Sequence, residues 1–351
     1  MNVFIHDIAS WFELISLAYC TGVLVCRLLV LPPSAPAGFS GQGYFPVRAW
    51  RLFGIALAVM FAGSAADLLL RAAGMTGRPV SDVFPEMSTV LFHTHYGRVW
   101  MIRIAALLLL SFFSAVELRH RSSRIFLAAA LSLVVVVAAT RSASGHASDA
   151  GDFSMAEIMD WLHLMAASVW GGGLFVLSVV ILPEVIRSDE LPASLLASVA
   201  GRFSRMAGAA VGVLAFTALY NAWLHVGSLE GLWLTPYGDT VIIKILLFFL
   251  LVNLGAFNRY VSVPLLQEFG GIDPGRRGFV GRLAVRVMPR SGRNQDARGA
   301  ASRFMRSVKT EAMLVAIVLL LAALLAQEVP ARHALRAMSG QGHAHNMRIN
   351  R

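Results

Sequence analysis

The sequence predicts an all-α, polytopic membrane bundle of about eight transmembrane helices with both termini on the outer side, and three observations carry that prediction. Of the 351 residues, 57% are hydrophobic and only 14% are charged, far from the balance of a water-soluble domain. The apolar residues gather into runs of about 20, the length that spans a bilayer. Lys and Arg fall in alternate connections, so the net charge of +10 reads as topology. No basic stripe interleaved with aromatics is present, and no nucleic-acid partner is expected.

Eight runs meet the length criterion, at roughly 10–31, 50–74, 98–117, 122–140, 156–182, 203–225, 239–258 and 309–329. The first holds Cys20 and Cys26, whose spacing fits neither a CxxC motif nor a neighbouring helical pair, so no disulfide is expected. Its leader, MNVFIHDIASWFELI, lacks a positive n-region and reads as part of a retained helix. The third and fourth runs are joined by the short basic turn from Arg119 to Arg124, which makes them a tight antiparallel pair. Lipid offers no partner to an unpaired backbone group, so the spans must be helical.

Orientation follows from the basic connections. One set holds Arg27, Arg48 and Arg51; then Arg119, Arg121 and Arg124; then Arg187, Arg202 and Arg205; then the Arg-rich stretch from Arg259 to Lys309. The opposite set is poorer, and Val226 to Gly238 has no Lys or Arg. The positive-inside rule puts the basic set in the cytoplasm and both termini outside. The expected organisation is a four-helix half over 1–140, a core over 141–260, a basic cytoplasmic linker over 261–308, an eighth helix over 309–329 and an outer tail over 330–351. The linker is expected to hold a surface helix around RFMRSVKTEAM, and its arginines to be either solvated or in contact with anionic membrane lipid.

The chemistry gathers between Ser144 and Pro183. A polar loop with His146 leads into an apolar run carrying Asp160, His163, Trp170 and the triplet Gly171, Gly172 and Gly173. Ionisable groups at membrane depth are costly and mark function by default. Asp160 and His163 lie one turn apart on one helical face, and Met159 shares it. A ligating histidine has its second nitrogen held by a neighbour, and Asp160 is expected to be that neighbour. His225, four residues after Asn221, reaches a similar depth on the next helix. Either histidine could instead be a hydrogen-bonded packing residue. The glycines are far from any strand or Lys, so close helix approach accounts for them. Asp67, with Arg71 one turn away, is a second embedded carboxylate, read as a helix-seating ion pair or a pathway group. Lys244, near the outer end of the seventh helix, is expected to snorkel.

Under this topology nine of the ten histidines face outward or lie near the outer helix ends, leaving His120 inside. His93-Thr-His95 and the tail His343-Ala-His345-Asn-Met347 are candidate ion collectors, or else incidental polar sequence. Imidazole with thioether sulfur favours copper, in either Cu(I) or Cu(II) form. The candidate metal ligands are therefore His163, His225, His146, His93, His95, His343, His345 and Met159. Asp160, Asn221, Trp170, Asp67 and Lys244 are the candidate supporting or pathway residues. Inward passage would need further soft donors, and Met60, Met206, Cys20 and Cys26 are those available.

Four motifs in order, SGHASDAG with MDWLHLMAASVWGGGLFVL, RFSRMAGAAVGVLAFTALYNAWLHVGSLEGLW and TPYGDTVIIKILLFFLLVNLGAFNR, resemble the copper resistance D family of bacterial inner-membrane proteins. The similarity runs from about Thr140 to Arg259, and His146, His163, Trp170, Tyr220, Asn221, Tyr237, Lys244 and Asn258 match its motif positions. The resemblance implies movement of copper from the periplasm across the inner membrane, beside a separate periplasmic copper-binding protein of the copper resistance C type. Two alternatives stand: an electron-transfer protein in which His163 and His225 ligate haem b, or a non-transporting factor that presents copper to another protein. No nucleophile elbow or HExxH motif is present, and an enzyme is not expected.

Overall fold

A computed structural model of the chain describes residues 2–32, 44–120, 124–145, 151–188, 192–273, 296–326, 328, 331–332 and 334–335. Among them there is no strand, and eight helices are long and apolar enough to cross a membrane. In chain order the helices are α1 (Asn2–Val25), α2 (Tyr44–Thr76), the short α3 (Met87–His93), α4 (His95–His120), α5 (Arg124–Ser142), α6 (Met155–Val176), α7 (Ala193–His225), the short α8 (Leu229–Trp233), α9 (Pro236–Phe257) and α10 (Ala297–Leu325). All eight expected spans are present.

Up-and-down alternation is visible in the contacts. At one end, the polar end, the start of α1 meets the end of α2 through His6 and Asp67, and the end of α5 meets the start of α6 through Ser142 and Asp160. At the other, basic end, Arg202 of α7 donates to Leu29 O, and Arg298 of α10 donates to Ile186 O and Ser188 O.

Three helices run from the polar to the basic end and widen there into a π-turn: Cys26–Val30 after α1, Leu177–Ile181 after α6 and Asn258–Ser262 after α9. Each is followed closely by a proline: Pro32, Pro183 or Pro264. Pro32 follows the extended Leu31, outside the helix, whereas Pro183 and Pro264 lie in resumed helix, where a proline ring clashes with the carbonyl four residues back and donates no hydrogen bond, and widening the turn relieves both problems. After the second and third π-turns the helix resumes, over Leu182–Arg187 and Val263–Phe269.

α1 is the central post. Of its most apolar window 78% is buried, against 6% for α9, so α9 is the helix most open to lipid. Trp11 Nε1 donates to Ala316 O of α10 at 2.8 Å, and Tyr19 OH donates to Ala49 O of α2 at 3.3 Å. The glycine triplet of α6 explains how α1 and its neighbours come so close. Successive helical residues point about 100° apart. A Cβ on Gly171 would meet Val315 Cγ1 of α10 at 2.6 Å; on Gly172, Ala18 O of α1 at 1.8 Å; on Gly173, Phe203 Cε2 of α7 at 2.5 Å. One glycine is spent on each neighbour.

Two element boundaries differ from expectation. RFMRSVKTEAM is no separate surface helix, because it forms the first half of α10, which begins at Ala297. Its start is capped by Asp296, which accepts from Gly299 N at 2.9 Å. The seventh span likewise runs on past 258, through its π-turn, to Phe269.

Candidate functional site

Two polar clusters lie at the polar end, one in each half of the chain. In the first, Asp67 of α2 accepts from Tyr96 OH at 2.7 Å and from Arg71 Nε at 3.3 Å, and lies 3.4 Å from His6 Nε2. Arg103 of α4, 3% exposed, donates to Thr140 O at 2.9 Å and Ser144 Oγ at 2.5 Å, with Asp67 Oδ2 3.8 Å away. Arg141 of α5 donates to Glu13 Oε2 of α1 at 2.6 Å and also to Ser10. The result ties α1, α2, α4 and α5 together. Beside it lies a cavity of about 20 Å³ lined by Glu13, Met60, Ser64, Arg103 and Arg141, room for one water molecule. Asp67 and Arg71 are thus an ion pair that seats a helix, reinforced by three groups the sequence reading did not join to it.

The second cluster lies between α6, α7 and α9. His163 Nδ1 sits 2.9 Å from Thr217 Oγ1. Thr217 has one hydroxyl proton, and Val213 O, a pure acceptor 2.8 Å away, takes it. The Thr217 oxygen therefore accepts from Nδ1–H. This assigns the imidazole tautomer and leaves the Nε2 lone pair as a donor for a metal ion. One turn further along α7, Asn221 Oδ1 is buried without a hydrogen-bond partner among the described residues. Lys244 of α9 lies within electrostatic reach of both His163 and Asp160, and Tyr237 lies within reach of Asp160. Trp170, 5% exposed, packs edge-on against Phe248 of α9, with ring centroids 6.3 Å apart, and closes the cluster towards the basic end.

Asp160 does not hold His163. Its Oδ2 accepts from Ser142 Oγ of α5 at 2.6 Å, and the partner of His163 is Thr217. The same-face spacing on α6 is real, but each side chain meets a closer hydroxyl on an adjacent helix. Lys244 is half-buried, within electrostatic reach of Asp160 on α6. His225 ends α7, two turns beyond Thr217, an axial offset of about 12 Å at 1.5 Å per residue. Met159 lies one turn from His163 towards the polar end.

His93 ends α3 and is exposed, while His95 opens α4 and pairs with Asp152 Oδ1 at 2.9 Å; the extended Thr94 separates them. His146, His343 and His345 lie outside the described residues. Among the described residues, no three His, Cys, Asp or Glu side chains converge on a point that could hold a metal ion. Cys20 and Cys26 are free thiols fully buried in the core. Thr217, the partner of His163, is the candidate site residue the sequence reading missed. Thr217, Asn221 and His225 recur every four residues, and that polar stripe on an apolar helix was the available signal.

Residues 1–156 match the family model described as copper resistance protein D-like, N-terminal domain, and residues 197–325 match the model described as copper resistance protein D. The first cluster falls within the former; Thr217, Asn221, Tyr237 and Lys244 fall within the latter, and His163 lies between the two. The chain is 32% identical over 170 residues to copper transport protein CutJ of Bacillus subtilis, covering 48% of this chain and 31% of that protein. It is 26% identical over 226 residues to copper resistance protein D of Pseudomonas syringae pv. tomato, covering 63% of this chain and 70% of that protein. It is also 26% identical over 212 residues to inner membrane protein YebZ of Escherichia coli, covering 58% and 68%. The chain thus spans about a third of the first of these relatives and about two thirds of the others. No solved structure matches it. With both domain models matched in order along an eight-helix chain, the protein belongs to the copper resistance protein D family.

Proposed function

We propose that this protein handles copper in the bacterial inner membrane, taking the ion at His163 Nε2 from the periplasmic side and passing it towards the cytoplasm. The observation that carries the reading is the bond from Nδ1–H to Thr217, which leaves the second nitrogen of a half-buried imidazole free and aimed by its partner. Asn221 Oδ1, one turn beyond Thr217 on α7, is a second oxygen without a hydrogen-bond partner among the described residues, and the Met159 thioether lies one turn from His163 on the polar-end side. Asp160 lies within electrostatic reach of Lys244 and offsets its charge beside an arriving ion. His93 and His95 stand at the same end as collectors, and a separate periplasmic copper-binding protein is the expected donor.

Thr217 bears on the haem alternative as well. Two axial histidines must face one iron from opposite sides, but His225 lies two turns past the residue that holds His163. Copper content of detergent-purified protein, with and without His163→Ala, tests the reading. Bound copper in the parent and its loss in the variant are expected, with no Soret band in either. Uptake by reconstituted vesicles loaded with a copper chelator then separates transport from presentation. Equal copper content in parent and variant would sink the assignment.

A further inference from the structure

A second, chemically different site lies at the basic end. There a pocket of about 310 Å³ opens between the start of α2, the π-turn and short helix that extend α6, and the first half of α10. Arg48, Arg187 and Lys309 line it, one from each element, together with Ser178, Ile186 and Met305. Among the described residues no acidic side chain lines it; Glu184, the acidic residue on the same short helix, is not part of the wall. The three cations are exposed, and none makes a hydrogen bond or ion pair with another described residue. At the polar end, by contrast, Arg71, Arg103 and Arg141 each face a carboxylate.

We propose that this pocket binds the phosphate headgroup of an anionic phospholipid from the cytoplasmic leaflet. Three like charges brought to one hollow with no counter-charge among the described residues repel one another, and an external anion removes that repulsion. The depth is that of a headgroup. Arg48 precedes the apolar run of α2, Arg187 ends the α6 extension, and Lys309 is the last cation of α10 before its apolar run. The wall below the cations is apolar, through Ile186, Met305 and Val179, the last 40% exposed, so acyl chains have a surface to lie on. A basic pocket between helices at the cytoplasmic boundary is the form such lipid sites take. The π-turn before Pro183 makes the hollow, because widening the helix there moves Ser178 and Val179 off the regular helical path. This inference is independent of the copper reading.

The test uses the full chain purified in neutral detergent, with native mass spectrometry to count retained lipid and thermal unfolding to read its effect. Three proteins are compared: the parent, Arg48→Gln/Arg187→Gln/Lys309→Gln, and a control of equal charge, Arg51→Gln/Arg205→Gln/Arg306→Gln, whose cations lie outside the pocket. Each receives phosphatidylglycerol, phosphatidylcholine or inorganic phosphate. Phosphatidylglycerol should be retained by the parent and the control, and on the order of 100-fold less by the pocket variant, three cations at about 1 kcal/mol each. It should raise Tm in the first two only. Equal retention by the pocket variant and the control overturns the proposal, because general surface charge then suffices. Inorganic phosphate that protects the parent as well as phosphatidylglycerol overturns it too, since the site would then take a free anion. A single Lys309→Gln variant, expected to lose part of the retention, covers the case in which the triple variant fails to fold.

Discussion

Gly172→Ala measures how tightly α1 and α6 are pressed together. The added Cβ would stand 1.8 Å from Ala18 O and 2.6 Å from Ala18 C, both backbone atoms, which have no rotamer to escape into. Ordinary contact begins at 3.4 Å, so the crossing must open by about 1.6 Å along that line. Forcing a methyl group into a packed core costs about 1–3 kcal/mol when side chains can yield, and more when backbone must move. We therefore expect at least about 3 kcal/mol for Gly172→Ala and about 1–2 kcal/mol for Gly171→Ala and Gly173→Ala, which meet a valine methyl and a phenylalanine ring edge. Gly54 and Gly212 have nothing within 4 Å of the same position, and as helical Gly→Ala changes in open space they should be neutral or gain up to about 1 kcal/mol. Denaturant titration of the five variants in detergent, followed by circular dichroism, ranks them. If Gly172→Ala unfolds with Gly54→Ala, the close crossing is not what the triplet serves.

The remaining predictions concern the two polar clusters. Thr217→Val should leave the fold intact and weaken copper binding about 10–100-fold, the usual effect of removing the group that orients a ligand, as read by competition with a chromogenic chelator. Unchanged affinity would mean that the Nδ1 bond does not prepare the site. Arg141→Met strands the Glu13 carboxylate and should cost about 3–5 kcal/mol, and Glu13→Gln/Arg141→Met should restore most of it, because the loss comes from the unpaired charge. A double variant no more stable than the single one would place the loss in packing instead. Burial raises the Glu328 carboxyl, and Asp7 adds to this against a hydrogen bond from Thr240. The folded chain then holds that proton more tightly than the unfolded one, so this contribution to stability is complete below the ordinary carboxylate range and is lost as pH rises through the raised value. Glu328→Gln should flatten the stability profile in that window, and a profile that keeps its slope would count against the assignment.

Spans are legible because the transfer free energy of about 20 apolar residues adds up along one segment, whatever the details of packing. Helix ends are harder. Arg298, Arg303, Arg306 and Lys309 pull the local hydropathy down, yet arginine and lysine are good helix formers, so α10 continues through them. The Asp67–Arg71 pair was readable because both partners lie one turn apart on one helix. The choice between Asp160 and Thr217 was not, because it turns on which neighbouring helix presents a hydroxyl at what height. Arg103 had a signal that went unused, since a cation inside an apolar run is itself a pointer to a buried partner.

Under the proposed function, the difference between the two clusters bears on where an ion could go. In the first half the carboxylates of Asp67 and Glu13 face three arginines, so a cation arriving there would have to displace a guanidinium that cannot deprotonate. In the second half the arrangement is reversed: the polar atoms left over are an imidazole lone pair and an amide oxygen, both neutral donors. Neutral donors in a partly dry site favour a singly charged ion over a divalent one, whose lost hydration they cannot replace. Removing Asp160 therefore tests a different property from removing His163. With Asp160→Asn the Lys244 charge stands uncompensated beside the ion, so copper affinity should fall and recover at high ionic strength or in Asp160→Asn/Lys244→Met. Removing His163 takes away the donor itself, and neither salt nor the second substitution should rescue it. Rescue of His163→Ala by Lys244→Met would show that electrostatics, and not ligation, governs the site.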